Sequence, residues 1–104
     1  MEQKLRGMLG LAVRARQACF GADACRKLLG SGQCAAVLLD RDTAENTRRK
    51  VSQMAEKAGV LLAETPPGLM TEATGRDNRI MALRKGAITE EIIRCLRAGG
   101  GMQH

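Results

Sequence analysis

Residues 34–39 form an unbroken apolar run of six residues, and this run constrains the fold more than any other feature of the chain. A strand with one face in water alternates apolar and polar side chains, and this run does not. Such runs are typical of strands that are covered on both faces, as in a parallel sheet. The run therefore predicts an interior strand, with a layer of helices on each side of its sheet.

The segments around this run have the patterns that such layers need. Apolar residues recur at helical spacing along three stretches, and shorter apolar segments predict further strands. The helical stretches are residues 5–13, 47–58 and 88–96, and the predicted strands are residues 18–20, 60–63 and 80–83. A shorter helix is predicted at about residues 22–29 and is the second in chain order, so residues 47–58 belong to the third helix. Helices that alternate with short strands predict an α/β fold, a three-layer α/β/α sandwich.

Side chains that favour helix starts predict where two of these helices begin. Asp42 or Thr43 is expected to cap the third helix, and Glu45 follows Asp42 by three residues, as in a capping box. Thr65 is expected to cap a short helix that opens with Pro66 and Pro67, where the fixed φ of proline suits the first turn.

With 104 residues, the chain is expected to form one domain over residues 1–98, followed by a flexible Gly-rich tail at residues 99–104. Its net charge of +6 favours an acidic partner, and nucleic acid fits this charge best. A basic surface that only keeps the protein soluble is the alternative.

The four cysteines, Cys19, Cys25, Cys34 and Cys95, include no Cys-Xaa-Xaa-Cys pair, and the single histidine is His104. This spacing predicts no zinc site and favours small buried thiols without disulfides. We therefore expect no metal, and a reducing, cytoplasmic location. An apolar run of six residues is far too short to span a membrane.

Catalytic motifs are missing from the sequence. It has no P-loop, no Gly-Xaa-Gly-Xaa-Xaa-Gly motif and no internal histidine for general base catalysis. Asp40 and Asp42 are its only closely spaced pair of aspartates, and Cys25 is the thiol to check for reactivity because Arg26 follows it. These observations predict a protein that is not an enzyme and uses no cofactor or small-molecule substrate.

A potential phosphate site lies where the predicted first strand meets the second helix. Gly21 would let the backbone approach a ligand closely, and the helix that follows would present free N–H groups. Arg26 and Lys27 add positive charge near this helix start. A glycine turn, a helix N-terminus and a lysine together favour phosphate binding, although both cations are also compatible with a solvated surface.

The order of these motifs resembles the L-seven-Ae superfamily of ribosomal RNA-binding proteins, and its bacterial YlxQ type most closely. Gly21, Lys27, Gly32 and the strand at residues 37–39 match in register, as do residues 9–15 and 42–47, and the resemblance covers roughly residues 5–93. It implies a four-stranded mixed sheet between helical layers. It also implies a cytoplasmic translation protein that binds structured, kink-turn-like RNA, most plausibly ribosomal RNA.

The resemblance also implies where RNA binds. In the family, an Asn and a Glu after the glycine read sheared G·A pairs of a kink-turn, and a second loop lies beside them. This chain has Asp23 and Ala24 at those positions, and its second loop is residues 76–79. The predicted RNA-binding residues are Gly21, Ala22, Asp23, Ala24, Arg26, Lys27, Arg76, Asp77, Asn78 and Arg79.

Structural alternatives accompany several of these residues. Asp23 is equally suited to be the N-cap of the second helix, and Asp77 could pair with Arg79. Residues 48–50 carry three adjacent positive charges, which cannot share one helix face and are expected to be solvated. For the whole chain, the main alternative is a protein-interaction module of the same fold that has lost kink-turn binding, and a nucleotide-handling enzyme is a third hypothesis.

Overall fold

The computed structural model describes residues 2–99, which form five helices and four strands. Helices and short strands alternate along these residues as the periodicity predicts. In chain order the elements are α1 (Glu2–Arg14), β1 (Ala18–Phe20), α2 (Ala22–Ser31), β2 (Cys34–Asp40), α3 (Glu45–Ala58), β3 (Leu61–Thr65), α4 (Leu69–Thr74), β4 (Ile80–Arg84) and α5 (Ala87–Gly99). The predicted tail, apart from Gly99 at the end of α5, lies outside the described residues.

The strands form one mixed sheet in the order β1-β4-β2-β3. β4 pairs antiparallel with both β1 and β2, and β2 pairs parallel with β3. The apolar run is therefore the interior strand β2, and six of its seven residues are buried, all except Ala35. The predictions of an interior strand and of a four-stranded mixed sheet are confirmed.

Successive side chains of β2 enter two separate cores. Ala36 and Leu38 belong to the core formed with α1, α4 and α5. Val37 and Leu39 belong to the core formed with α2 and α3. Because strand side chains alternate between faces, an all-apolar strand needs cover on both sides, and the helices provide it. The three-layer α/β/α sandwich is confirmed.

The predicted capping box of α3 is wrong. Ala44 occupies the N-cap position, and no side chain caps the helix. The hydroxyl of Thr43 instead donates a hydrogen bond of 2.7 Å to the Asp40 carbonyl, and the Asp42 N–H donates to the Asp40 carboxylate at 2.7 Å. The end of β2 therefore uses these polar groups to close its own turn.

The predicted cap of α4 is also wrong, because Thr65 is the buried last residue of β3. Pro66 and Pro67 lie in the turn that follows, and α4 begins only at Leu69, after Gly68. Thr65 pairs with Asp40 in the parallel ladder of β2 and β3. This pairing keeps Thr65 in β3, although the prolines that follow it made it look like the start of a helix.

All four cysteines are free thiols; Cys25, Cys34 and Cys95 are buried and Cys19 is half-buried. Burial raises the pKa of the Cys25 thiol to about 11 and also raises the pKa of Cys34. Thiolate formation at Cys25 is thus disfavoured, although Arg26 follows it. Within residues 2–99, no helix is long and apolar enough to cross a bilayer.

Candidate nucleic-acid interface

Two loops lie side by side at one end of the sheet, namely the β1–α2 turn at Gly21 and the α4–β4 loop at residues 76–79. The Gly21 N–H donates a hydrogen bond of 3.1 Å to the Ile80 carbonyl. The guanidinium of Arg76 lies over the Phe20 ring, 5.0 Å from its centroid. This contact follows from topology, because antiparallel pairing brings the end of β1 to the start of β4.

Gly21 has φ 88° and ψ 164°, a backbone conformation that is essentially restricted to glycine. A Cβ there would meet nothing within 4 Å, so the requirement is conformational and not one of space. The turn lets α2 begin at Ala22, with Gly21 at the N-cap position and no side-chain cap. The interpretation of Asp23 as the cap is therefore wrong.

Asp23 is instead the second residue of α2, and its side chain is 90% exposed. It pairs with Arg26 at 3.4 Å, and Lys27 is exposed one position further along. Residues three and four apart share a helix face, so these three charged side chains form one surface. An ion pair this exposed contributes little to stability, so both partners remain available to a ligand.

The α4–β4 loop is shaped by its own polar groups. Asn78 Nδ2 donates to the Thr74 hydroxyl at 3.2 Å and to the Arg76 carbonyl at 2.9 Å. Arg79 Nη1 donates to the Asp42 carbonyl at 2.7 Å. The suggested Asp77–Arg79 ion pair is not among the salt bridges of residues 2–99, so this interpretation is wrong.

A shallow cleft of about 400 Å³ lies between the two loops. It combines an aromatic side chain, the backbone of a glycine turn, one cation and one carboxylate, and its lining residues are Phe20, Gly21, Asp77, Asn78, Arg79 and Ile80. A neighbouring cleft of about 510 Å³ contains four carboxylates, from Asp40, Asp42, Glu72 and Asp77, with Arg79 as its only cation. An anion would avoid this second cleft, so the candidate interface centres on the first.

Asp40 supports the interface from behind. It is only 3% exposed, and its two carboxylate oxygens accept the N–H groups of Asp42 at 2.7 Å and Gly68 at 2.9 Å. The Asp40–Asp42 pair is thus structural, because hydrogen bonds to the backbone occupy the Asp40 carboxylate. These bonds also fix the Asp42 carbonyl that holds Arg79.

The structure brings together most of the predicted site and adds residues that the sequence analysis missed. Gly21 and residues 76–79 lie in contact, and Ala22 to Lys27 continue from them as the first turns of α2. Phe20 and Asp40 were missed. Phe20 had a detectable signal, since it is the only aromatic residue of the chain and directly precedes Gly21.

Residues 48–50 do not behave as one solvated group. Arg48 forms an ion pair with Glu64, and it donates to the Arg41 carbonyl at 2.5 Å. Its side chain is 24% exposed, so the expectation of solvation is wrong for Arg48. Arg49 and Lys50 are exposed, as expected.

The part of the chain that the structure describes contains no group of three or more His, Cys, Asp or Glu side chains that could hold a metal ion. Cys34 and Cys19 lie close enough to Cys25 to add to the effect of burial in raising the pKa of its thiol, but the three cysteines do not form such a group.

Neither protein-family models nor curated proteins match the sequence. Solved structures do match the fold. A protein of unknown function from Bacillus halodurans C has a TM-score of 0.83 at 22% identity, with 90% of this chain and 97% of that chain covered. A 15.5kD RNA binding protein from Giardia lamblia has a TM-score of 0.71 at 15% identity, with coverage of 92% and 87%. At these identities the similarity establishes the fold.

Proposed function

We propose that this protein binds structured RNA without catalysis, through the Gly21 turn, the start of α2 and residues 76–79. The observation that carries the proposal is the contact between the two loops, which places cations, an aromatic ring and exposed backbone on one surface. The fold shared with the Giardia RNA binding protein supports it. The net charge of +6 is consistent with a polyanionic partner.

Phosphate contacts would supply most of the affinity. Arg26, Lys27, Arg76 and Arg79 are exposed at this surface, against the carboxylates of Asp23 and Asp77. The Phe20 ring and the Asp42 carbonyl hold the two arginines of the second loop in place, while their remaining N–H groups stay free to donate. Pre-positioned guanidinium groups suit phosphate oxygens, because less side-chain entropy is lost on binding.

Base recognition would be limited at this site. The Asp23 carboxylate can accept hydrogen bonds from the amino groups of bases, but the side chain of Ala24 can neither donate nor accept one. We therefore propose recognition of RNA shape and backbone, with weak binding to a standard kink-turn. Ribosomal RNA in the cytoplasm is the partner that we propose, on the basis of the sequence resemblance and the basic surface.

The first experiment measures RNA affinity against salt concentration for the parent and for Arg76→Ala/Arg79→Ala. Each phosphate contact that is lost flattens the slope of log affinity against log salt by roughly 0.7 to 0.9, so the double variant should flatten it by about 1.5. Its affinity should fall by a similar factor for every RNA, because phosphate contacts carry little sequence information.

The matched control is Arg49→Ala/Lys50→Ala, which removes two exposed charges from the middle of α3. It should keep most of the affinity and slope of the parent. If this control is the more damaged variant, the binding face is α3 and our assignment is wrong. If neither variant changes RNA binding, RNA contacts another face and our assignment is wrong. If the parent itself does not bind RNA, the protein-interaction module becomes the better interpretation.

A second experiment rebuilds the base-reading pair of the family. Asp23→Asn/Ala24→Glu should bind a model kink-turn at least tenfold more tightly than the parent, because both positions lie at the exposed or half-exposed start of α2. The double variant keeps the net charge of the parent, so a gain in affinity cannot come from charge alone. The single variant Ala24→Glu, which adds one negative charge and lacks the Asn, is the control and should not gain affinity. Equal affinity of the double variant and the parent would show that these positions do not set the RNA preference.

A further inference from the structure

A second cationic surface lies at the opposite end of the sheet from the candidate interface. Arg14 ends α1, Arg16 lies in the α1–β1 turn, Arg84 ends β4, and Lys85 follows it. All four side chains are exposed. We refer to these four residues as the β4-end patch.

Backbone hydrogen bonds tie the loops of this patch together. The Arg84 N–H donates to the Gln17 carbonyl at 2.7 Å, and the Lys85 N–H donates to the Gln33 carbonyl at 3.0 Å. A Cβ on Gly86 would lie only 2.8 Å from Gln17 Oε1, so the α1–β1 turn and the start of α5 approach closely. The patch is therefore a defined surface and not a set of independent side chains.

The positive charge of this patch is poorly compensated within the protein. None of the salt bridges of residues 2–99 involves a member of the patch. The 13-residue helix α5 begins directly after it, and Glu90 is the one acidic residue in the first turn of that helix. Cations are unfavourable at the positive end of a helix dipole, so an external anion would be stabilised by the patch and by α5 together.

The turn also holds one of these arginines in an unfavourable conformation. Arg16 has φ 59°, and it is the only non-glycine residue with positive φ among residues 2–99. This left-handed conformation is unfavourable for an L-residue that carries a Cβ. The tight turn holds an arginine where glycine or asparagine would be less strained. Arg16 is exposed there, one residue before Gln17, whose carbonyl accepts the Arg84 N–H.

The patch is far enough from the candidate interface to act independently. Arg79 and Lys85 flank the buried strand β4, and a rise of about 3.3 Å per residue separates them by about 20 Å. This separation exceeds the Debye length of about 8 Å at physiological ionic strength. One phosphate cluster therefore cannot satisfy both surfaces.

We propose that the β4-end patch binds the backbone of a second, double-stranded RNA segment, so that the protein bridges two segments of RNA. Four cations on two connected loops would contact phosphates of a duplex without reading bases. The bridging part of this proposal rests on the proposed function of the first interface, whereas duplex binding by the patch does not. Four contacts predict a salt slope of magnitude about 3.6 for the duplex alone.

The test uses two RNA probes, a donor-labelled hairpin of structured ribosomal RNA and an acceptor-labelled short blunt duplex. Addition of the parent protein should produce energy transfer between them. Arg84→Ala/Lys85→Ala should weaken duplex binding by at least tenfold and abolish the energy transfer. Its affinity for the hairpin should stay within about twofold of the parent, because salt screens the charges at one end of the sheet from the other end. Arg76→Ala/Arg79→Ala should show the reverse, losing the hairpin and keeping the duplex.

Two further variants make the result decisive. Arg14→Ala/Arg16→Gly removes the other half of the patch, relieves the positive φ of Arg16, and should also lose the duplex. Arg49→Ala/Lys50→Ala removes the same amount of charge from α3 and should keep duplex binding.

Duplex binding that is equal in the parent and in both patch variants would overturn the proposal and leave an acidic protein as the partner to examine. Equal loss in the α3 control would also overturn it, because binding would then depend on net charge only. If only the hairpin fails to bind, the proposed function fails and the duplex assignment stands.

Discussion

Removal of the Asp40 carboxylate tests how the fold supports the candidate interface. The side chain is 3% exposed and accepts two backbone N–H groups, from Asp42 at 2.7 Å and from Gly68 at 2.9 Å. Asp40→Ala deletes both acceptors. Hydrogen bonds to a charged group contribute about 1.5–3 kcal/mol each, and the lower value applies here because Asp42 and Gly68 are exposed enough for water to replace the acceptor. We expect a loss of about 3 kcal/mol.

The measurement is urea unfolding of the parent and of Asp40→Ala, monitored by circular dichroism. At an unfolding entropy of about 2.1 cal/mol/K per residue, a loss of 3 kcal/mol also lowers Tm by roughly 14 °C. The matched control is Asp42→Ala, two residues away. Asp42 is exposed and contributes to the turn through its backbone, so its substitution should change stability by less than about 0.5 kcal/mol.

RNA binding gives a second, independent readout of the same substitution. Asp40 fixes the turn whose Asp42 carbonyl holds Arg79 at 2.7 Å, so Asp40→Ala should weaken RNA binding at temperatures where the variant is still folded. Asp42→Ala keeps that carbonyl and should not weaken binding. The reasoning is refuted if Asp40→Ala costs less than about 1 kcal/mol or is no worse than Asp42→Ala.

Three further predictions concern stability. Gly21→Ala should lower the free energy of unfolding by about 1–3 kcal/mol, because alanine is strained at φ 88°. Gly30→Ala, within α2, should raise it by about 0.5–1 kcal/mol. Equal effects of the two substitutions in urea unfolding would argue against the backbone explanation. Burial raises the pKa of Cys25 from 9.0 to about 11, so the folded state retains a proton that the unfolded chain releases. The contribution of Cys25 to stability should therefore be fully present below pH 9. Between pH 9 and about pH 11 the free energy of unfolding should fall by up to about 1.4 kcal/mol per pH unit. In parallel unfolding series, the stability of Cys25→Ala should fall less steeply over the same range. Arg48→Ala should lower the free energy of unfolding by about 1–2 kcal/mol, because the hydrogen bonds of its guanidinium are lost. Arg49→Ala should change it very little. Thermal unfolding of the two variants is the measurement.

The layers of the fold were predictable because burial leaves a periodic trace in the sequence. Residues 34–39 have no polar member, and such a strand is stable only when both faces are covered. The helix starts were less predictable, because local cap signals compete with distant partners. Asp40 bonds Gly68, which is 28 residues away, and this bond shapes the turn in which Asp42 and Thr43 looked like caps.

The candidate interface was predictable only as far as glycine and charge mark it. Gly21 carries a conformational requirement that a sequence can show, and the charges of residues 76–79 are visible as a cluster. Pairing between distant side chains is not visible in the same way. Arg79 bonds a carbonyl 37 residues away, and Arg76 stacks on Phe20 across two paired strands. These contacts depend on the order of strands in the sheet, which the periodicity of one segment does not specify.

Strand β4 connects the two proposed RNA surfaces, and its burial determines how they can act together. Residues 80–83 are at most 7% exposed and pair with both β1 and β2, so they belong to the most constrained part of the fold. Arg79 precedes this strand, and Arg84 and Lys85 lie at its other end. A rigid strand fixes the distance between the two cationic surfaces, whereas a flexible linker would let them fold onto one RNA segment. RNA segments bridged by this protein should consequently be held at one spacing, and this spacing would be set by the length of β4.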